Sequence, residues 1–449
     1  MPFLADARPS PRGGGSRGPQ TAFWALALVA FVLWSLGALF PAALSGSRSA
    51  LADSAASPVP GEAEALLVAG PTLTEVLDEI LDQKVQSGEL VGAVFTLMKD
   101  GQVVYSHAVG SRDAEKDIPM TADTPFRLSS VSKIFTVAVA GVLLSRGTIA
   151  LDDPVSAYLP YFTPKAPAGE GKPILIRHLL NHTAGLDYLF VEKKDGPYHL
   201  ARVSDGLDSA PGLTLTENVK RIASCPLLYE PGESWKYSQA TDVLGEVIAV
   251  AYGKPFPEAT RELLLEPLGI AGPAFWSADP ALVAVQYRLD EPKPRPLREP
   301  ETFSLGAGLE IVFSPARAFD PHAWPSGGAG LVGTAQDVLK VLEAIRINDG
   351  SLMSQEVVTQ LSADSIAPLE ADAPGLGFGA GWAVVRDSRA AELPLSPGSL
   401  VWSGVYGHTW FMDREKGLSG VLMTDMTMSG IRGNAFSRLV EAAYASLFH

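Results

Sequence analysis

Residues 126–133 have the sequence FRLSSVSK, which contains an S-x-x-K motif formed by Ser130 and Lys133. From Ser130 to Arg146 the chain is apolar on almost every side, and this pattern predicts a helix buried in a core. A spacing of three places the serine and the lysine one turn apart on one helical face. A serine hydroxyl needs a base to become a nucleophile, and the amine of a lysine shielded from water can serve. The stretch predicts a nucleophile and its base at the start of a buried helix.

The segments around this helix predict a sheet assembled from both ends of the chain, with a mainly helical lobe from about 151 to 348 inserted between them. An Asp100-Gly101 pair between two apolar runs predicts a hairpin turn. Strands are predicted at 91–98, from 102 onward, and at 381–385, 405–412 and 418–423, and helices at 72–88, 130–146 and 434–447.

Two later segments carry candidate site residues. Tyr237 follows a turn and precedes an apolar helix, so its phenol could share a proton with a nearby lysine and serine; by itself, a buried tyrosine bonded to the backbone is the simpler interpretation. The predicted strand end from Trp402 to Val405 could line the site and offer a backbone N–H to an oxyanion. Core packing of the Trp402 side chain is the simpler alternative there.

Several blocks, in a characteristic order, resemble the superfamily of class C β-lactamases, penicillin-binding proteins and family VIII carboxylesterases. The resemblance covers roughly residues 73–447 and implies an α+β fold of β-lactamase/transpeptidase type, with a central antiparallel sheet flanked by helices and an inserted, mainly helical lobe. The blocks are FRLSSVSK at 126–133, GTIALDDPV at 147–155, IRHLLNHTAGL at 176–186, YSQ at 237–239, GGAGL at 327–331 and WSGVYGH at 402–408.

The resemblance also implies roles for individual residues. Ser130 would be the acylated nucleophile, Lys133 would take or hold its proton, and Tyr237 would act with Lys133 as general base before returning a proton to the leaving group. The backbone N–H groups of Ser130 and Val405 would form the oxyanion hole. The further residues expected to line the substrate site are Trp402, Gln239, Gly404 and His408, although packing is the simpler interpretation of His408.

Two departures from the family pattern bear on the substrate. Gln239 stands where asparagine is usual, and residues 402–404 (WSG) replace K-T-G, which removes a cation that helps to hold a substrate carboxylate. The tryptophan version resembles family VIII carboxylesterases and related acyltransferases. We therefore expect a serine hydrolase that forms an acyl-enzyme, most simply a carboxylesterase or acyl transferase acting on small esters.

Two alternatives stay open at this point. A β-lactamase or D-Ala-D-Ala carboxypeptidase would be favoured if another cation, such as Lys236 or Arg414, reached the pocket. A non-catalytic, membrane-tethered binding protein is the second alternative. Its main support is Gln239, and the intact Ser130, Lys133 and Tyr237 argue against it.

The N-terminal part predicts export. Residues 1–21 are predicted as a cytoplasmic tail, 22–44 as a transmembrane or signal segment, 45–70 as a linker and 71–449 as the hydrolase domain. The segment 22–44 has no charged residue, and arginines precede it, which places the remainder across the membrane. Residues 50–52 (ALA) have the form of a signal cleavage site. The catalytic domain is expected outside the cytoplasm, either membrane-anchored or, after cleavage, secreted or periplasmic.

Composition excludes several other classes. The net charge is −15 and the sequence shows no basic stripe, so nucleic acid is not an expected partner. The single cysteine, Cys225, excludes an intrachain disulfide. His178 and His182 have no acidic or thiol partner at ligand spacing, so no metal or other cofactor is expected. The expected partners are a small ester or amide substrate and, through the N-terminal helix, the membrane.

Overall fold

The computed structural model describes residues 71–448 except 168, 170, 291, 292, 372 and 430–433. The predicted tail, apolar segment and linker of residues 1–70 lie outside the described residues. Within the part that is described, no helix is both long enough and apolar enough to cross a bilayer.

Eight strands of the described chain form one antiparallel sheet in the order β10-β11-β12-β13-β14-β1-β2-β3. The other strands form two-stranded ribbons, β4-β9, β5-β6 and β7-β8. The strands are β1 Gly92–Lys99, β2 Gln102–Asp113, β3 Ile118–Pro119, β4 Phe126–Arg127, β5 Tyr287–Arg288, β6 Arg295–Pro296, β7 Glu301–Gly306, β8 Leu309–Phe313, β9 Val332–Gly333, β10 Leu376–Phe378, β11 Ala383–Val385, β12 Leu400–Gly404, β13 His408–Asp413 and β14 Leu418–Thr424.

The helices of the described residues cover both faces of this sheet. They are α1 Leu73–Gln86, α2 Ser132–Ser145, α3 Val155–Tyr158, α4 Ile176–Leu180, α5 Pro197–Leu200, α6 Leu215–Ser224, α7 Ala240–Tyr252, α8 Phe256–Thr260, α9 Ala335–Ile347, α10 Gln355–Ser362 and α11 Ala435–Phe448. The predicted α+β fold, with its antiparallel sheet and inserted helical lobe, is confirmed.

Strand β14 joins the two ends of the chain because it pairs with β1 on one side and β13 on the other. All its residues are buried, and successive side chains point to opposite faces. Leu422 packs into the core under α1 and α11, whereas Val421 and Met423 pack into the larger core that contains α2, α7 and α9. The sheet is thus the middle of three layers.

Two local features differ from the prediction. The strand expected at 405–412 begins at His408, and Val405 lies in the turn between β12 and β13. The hairpin β7-β8 lies in the middle region, for which helices and loops were expected. Its alternation of buried and exposed residues is typical of a strand with one solvated face, so residues 301–305 did carry a signal.

Candidate active site

Ser130 lies in a tight turn between a short strand and a long buried helix. Strand β4, paired with β9, leads into a 3₁₀ turn at Ser129–Val131, and α2 begins directly after it. Ser129 has a φ of +44°, a left-handed backbone conformation that residues other than glycine rarely adopt. Such strain in front of a candidate nucleophile persists only when the surroundings enforce it.

The end of β12 is one part of those surroundings. The backbone N–H of Tyr406 donates to Ser129 Oγ at 3.3 Å. A Cβ at Gly404 would lie 2.4 Å from Ser129 Oγ and 2.8 Å from the Leu128 carbonyl oxygen. Gly404 is therefore a residue whose missing side chain lets β12 approach the serine turn.

Lys133 is fully buried, and its amine has three neighbours on the site side of α2. Its Nζ lies 3.4 Å from Ser130 Oγ, 3.2 Å from the hydroxyl of Tyr188 and 2.8 Å from the carbonyl oxygen of Gly328, to which it donates. Within the described residues the lysine forms no ion pair with a carboxylate. Its amine donates instead to neutral oxygens of the protein.

Tyr237 brings a third oxygen to the serine. Its hydroxyl donates to Ser130 Oγ at 2.8 Å, and Lys133 Nζ lies 4.9 Å from the centre of its ring. The ring packs against Trp402 and His182, with centroids 5.2 and 4.9 Å apart. The structure thus brings Ser130, Lys133 and Tyr237 together from two elements separated by more than a hundred residues.

Tyr188 is a site residue that the sequence did not single out. Its hydroxyl contacts Lys133, and its ring lies 5.1 Å from that of Tyr237. Burial, with a contribution from Tyr237, raises its pKa well above the usual value, so it stays a neutral phenol. It lies in an irregular segment without a motif of its own, and only its place two residues after the 176–186 block could have drawn attention to it.

Trp402 and Val405 lie on the strand side of the site. The indole is partly exposed and packs edge-on against Phe378, with centroids 5.3 Å apart. The N–H of Val405 forms no hydrogen bond with another described residue, so it is available to an oxyanion.

Gln239 and His408, which were expected to line the substrate site, are both fully buried and hydrogen-bonded to the backbone. Gln239 is fully buried, and its amide nitrogen donates to the Ser204 carbonyl oxygen at 2.6 Å. His408 is fully buried in the sheet, where Nε2 lies 2.8 Å from the Arg127 carbonyl oxygen and Nδ1 accepts from the N–H of Thr424. Gln239 was expected at the site from its place in the 237–239 block, but it lies at the N-terminal end of α7, where its side chain is buried. For His408, packing was the simpler interpretation, and its side chain is packed inside the sheet.

The two cations that could have replaced the missing lysine are occupied elsewhere. Lys236 forms a largely buried ion pair with Asp187 at 2.6 Å. Arg414 donates to the carbonyl oxygen of Ile345 at 3.1 Å, against α9. No group of three or more His, Cys, Asp or Glu side chains with metal-binding geometry occurs among the described residues.

Comparisons with known proteins show what this chain is similar to. Esterase EstB from Burkholderia gladioli is 41% identical over 376 residues, which cover 83% of this chain and 96% of that protein. The solved structure of EstCE1, described as a hydrolase with promiscuous acyltransferase activity, is 37% identical with a TM-score of 0.79 and covers 83% of this chain and 98% of that one. Unliganded simvastatin synthase from Aspergillus terreus, at 22% identity and a TM-score of 0.65, covers 84% of this chain and 99% of that one and shares the fold.

The pattern that defines the β-lactamase family matches residues 77–435, from α1 into α11. This span includes the serine turn, Lys133, Tyr237 and the strand that carries Trp402. The chain therefore belongs to the β-lactamase family, as a serine hydrolase similar to its esterases.

Proposed function

We propose that this serine hydrolase cleaves small carboxylic esters through an acyl-enzyme on Ser130. The observation that carries the proposal is the group of contacts around one hydroxyl: Ser130 Oγ lies 2.8 Å from the Tyr237 hydroxyl and 3.4 Å from Lys133 Nζ. A nucleophile within hydrogen-bond reach of its base is the arrangement that acyl transfer requires. The similarity to esterase EstB supports the ester as substrate class.

The reaction has two steps, acylation of Ser130 and hydrolysis of the acyl-enzyme. Ser130 Oγ attacks the ester carbonyl carbon while its proton passes to the pair formed by Tyr237 and Lys133, and the negative charge on the carbonyl oxygen faces the N–H groups of Ser130 and Val405. The C–O bond to the alcohol then breaks, and the alcohol leaves with that proton. Water repeats the sequence on the acyl-enzyme, releasing the carboxylic acid and restoring the serine.

Esters are favoured over β-lactams and peptides because the family lysine that helps to hold a substrate carboxylate is replaced in this chain. Trp402 occupies the position of the family lysine, and the charge of Lys236, next to Tyr237, is neutralised by Asp187. A substrate with a free carboxylate would lose its solvation without gaining an ion pair. A neutral ester has no such cost.

Acyl transfer to an alcohol is the second reaction that we propose for this site. An alcohol oxygen can replace water in the second step with no change in the groups that move the proton. The acyltransferase activity in the description of EstCE1 supports this reading.

The test is a series of p-nitrophenyl esters, from acetate to octanoate, assayed beside nitrocefin with the unaltered protein and the Ser130→Ala variant. We expect ester turnover that the variant abolishes, an acyl group on Ser130 visible by mass spectrometry, and nitrocefin left intact. Added butanol should divert part of the acyl group into a butyl ester. A folded protein that neither turns over esters nor becomes acylated would contradict the proposal.

We also propose that residues 22–44 carry the catalytic domain out of the cytoplasm, as an anchor or as a cleaved signal. The support is the uncharged apolar run and the arginines before it. Cell fractionation and the mass of the mature N-terminus test this. A full-length protein in the cytosolic fraction would contradict it.

A further inference from the structure

Asp242 is a buried carboxylate that the proposed chemistry does not use. It lies in the first turn of α7, three residues after Gln239, and its side chain is fully buried. Burial raises its pKa, and its hydrogen bonds and the charge of Lys133 oppose that rise. Because a carboxylate removed from water is costly unless it is hydrogen-bonded or near a cation, its contacts indicate what the position does.

The contacts of Asp242 lead through one peptide unit to Lys133. Its Oδ1 accepts from Ser326 Oγ at 2.7 Å and from the N–H of Gly328 at 2.9 Å. The carbonyl oxygen of the same Gly328 accepts from Lys133 Nζ at 2.8 Å. The second oxygen, Oδ2, has no hydrogen-bond partner within the described residues. Asp242 thus fixes the segment 326–328, whose Gly328 carbonyl oxygen accepts the hydrogen bond from Lys133.

Gly328 also keeps the two charged groups close without letting them touch. A Cβ at this glycine would lie 3.3 Å from Lys133 Nζ and 3.4 Å from Asp242 Oδ1. In a dry interior little water screens opposite charges, and the charge of Lys133 lowers the pKa of Asp242. The carboxylate therefore acts on Lys133 through space as well as through the peptide.

We propose that Asp242 is a positioning residue for the Ser130 chemistry. It fixes the Gly328 carbonyl group that accepts the hydrogen bond from Lys133, and its negative charge favours the protonated amine of Lys133. The proposal rests on the proposed function, because it assigns Asp242 to the same nucleophile and base. The aspartate touches neither Ser130 nor a reacting atom, so it acts only through Lys133.

Other titratable groups lie near Lys133 and Asp242. Among the carboxylates of the described residues, Asp242 is the one whose negative charge the test removes. Burial raises the pKa of Asp205 to about 8 and holds that of His182 well below its usual value, so both are neutral near pH 7. Arg317 interacts with Asp242 and Asp205, and although burial lowers its pKa, a guanidinium stays protonated in proteins, so it keeps its charge. The described groups that face Lys133 or Asp242 are Tyr188, Tyr237, His182, Asp205 and Arg317.

The test separates geometry from charge with two substitutions. Asp242→Asn keeps an oxygen for Ser326 and Gly328 but removes the charge, and Asp242→Ala removes both. The measurement is the rate at which a fluorophosphonate probe labels Ser130 across pH 4 to 10, followed by intact mass. This readout needs no knowledge of the natural substrate.

For Asp242→Asn we expect the acid limb of the rate profile to move down by about one pH unit, because loss of a negative charge favours the deprotonated state of the Ser130, Lys133 and Tyr237 group. For Asp242→Ala we expect a maximal rate about tenfold lower than for Asp242→Asn, since the Gly328 carbonyl loses its support. Partial rescue by asparagine is the mark of positioning.

Asp425 provides a matched control. It is also fully buried, accepts one backbone N–H, from Gly92, through Oδ1, and has an unpartnered Oδ2. Asp425→Asn should change thermal stability without moving the pH profile. If neither Asp242 variant folds, Ser326→Ala serves instead: it removes a hydrogen bond that lowers the pKa of Asp242, so the carboxylate protonates earlier and the acid limb moves the same way by a smaller amount.

The two proposals can fail separately. If Ser130 of the unaltered protein is not labelled at any pH, the proposed function fails, and the role of Asp242 with it. If Ser130 is labelled and the foldable Asp242 or Ser326 variants keep the pH profile of the unaltered protein, the role of Asp242 alone is overturned. Lower melting temperature with an unchanged profile would mean that the carboxylate only stabilises the fold.

Discussion

Lys133 is held by oxygens that carry no formal charge, and Tyr188 supplies one of them. The phenol keeps its proton because burial raises its pKa, so it can stay hydrogen-bonded to the amine in either protonation state of the lysine. A residue of this kind fixes where the base lies without adding a charge of its own.

Tyr188→Phe should lower kcat for p-nitrophenyl acetate by roughly tenfold to a hundredfold, the loss expected for a hydrogen bond to a charged group. The ring stack on Phe190, with centroids 4.5 Å apart, is kept, so KM and folding should change little. Tyr158→Phe is the control, because its hydroxyl is bonded to Asp153 far from the site. Equal kcat in both variants would remove Tyr188 from the site.

His408 makes the stability of the fold depend on pH in the acid range. Burial lowers its pKa in the folded protein to about 4, below the usual 6.5. The unfolded chain therefore binds a proton between these values that the folded chain refuses, so its contribution to stability is complete above about pH 6.5 and is lost as the pH falls towards 4. The contribution is about 3 kcal/mol.

Urea unfolding at several pH values between 4 and 7 measures this effect. The free energy of unfolding should fall as the pH is lowered, and His408→Gln should show a smaller slope over the same range. His178, whose pKa is also lowered to about 4, leaves part of the slope in place. A slope unchanged in the variant would contradict the assignment.

At the scale of elements, the site depends on how closely β12 approaches the serine turn. Gly404→Ala would place a methyl group against the Leu128 carbonyl oxygen, which belongs to the backbone and cannot move aside as a flexible side chain can. The strand would shift, and the Val405 N–H with it. Ester turnover should fall by about a hundredfold, the order found when an oxyanion donor is lost.

The matched control for this substitution is Ser403→Ala, one residue earlier on β12 and partly exposed. It should keep turnover within about twofold, since surface changes away from special contacts have small effects. Circular dichroism confirms that both variants fold. Similar turnover in the two variants would mean that the approach of β12 is not needed.

The elements also show what sequence patterns could and could not reveal. Helix α2 and the serine just before it were predictable, because an apolar run and the S-x-x-K spacing are local properties. Tyr188 was not, since its contact with Lys133 spans 55 residues of chain and no local pattern encodes it. Asp242 had a detectable signal, a carboxylate in the first turn of an apolar helix, but its meaning depends on residues 326–328, which arrive from elsewhere in the chain.

At the scale of the whole molecule, the first and last helices of the described chain, α1 and α11, pack together on one face of the sheet. Leu439 of α11 is fully buried against the sheet and α1. Leu439→Ala should cost about 2 to 5 kcal/mol of unfolding free energy, the range for deleting a buried leucine side chain. The exposed neighbour Arg438, changed to alanine, should cost less than about 0.5 kcal/mol.

Urea unfolding with tryptophan fluorescence measures both changes. The pH profile of ester turnover should stay the same in both variants, because α11 lies on the face of the sheet opposite α2. A profile that shifted in Leu439→Ala would show that the outer layer influences the site, contrary to the layered arrangement.

The pairing of β1 with β14 determines when, during translation, the large sheet can be completed. Strand β1 can pair with β2 as soon as both are made, but Ala93 lies opposite Thr424, so a ribosome must add more than three hundred residues before β1 meets its second partner, β14. A domain that is still growing can fold only with what has already emerged. The large sheet therefore cannot be completed until translation is nearly finished, and a chain with an incomplete sheet is the form that a protein-conducting channel can thread or that chaperones must protect.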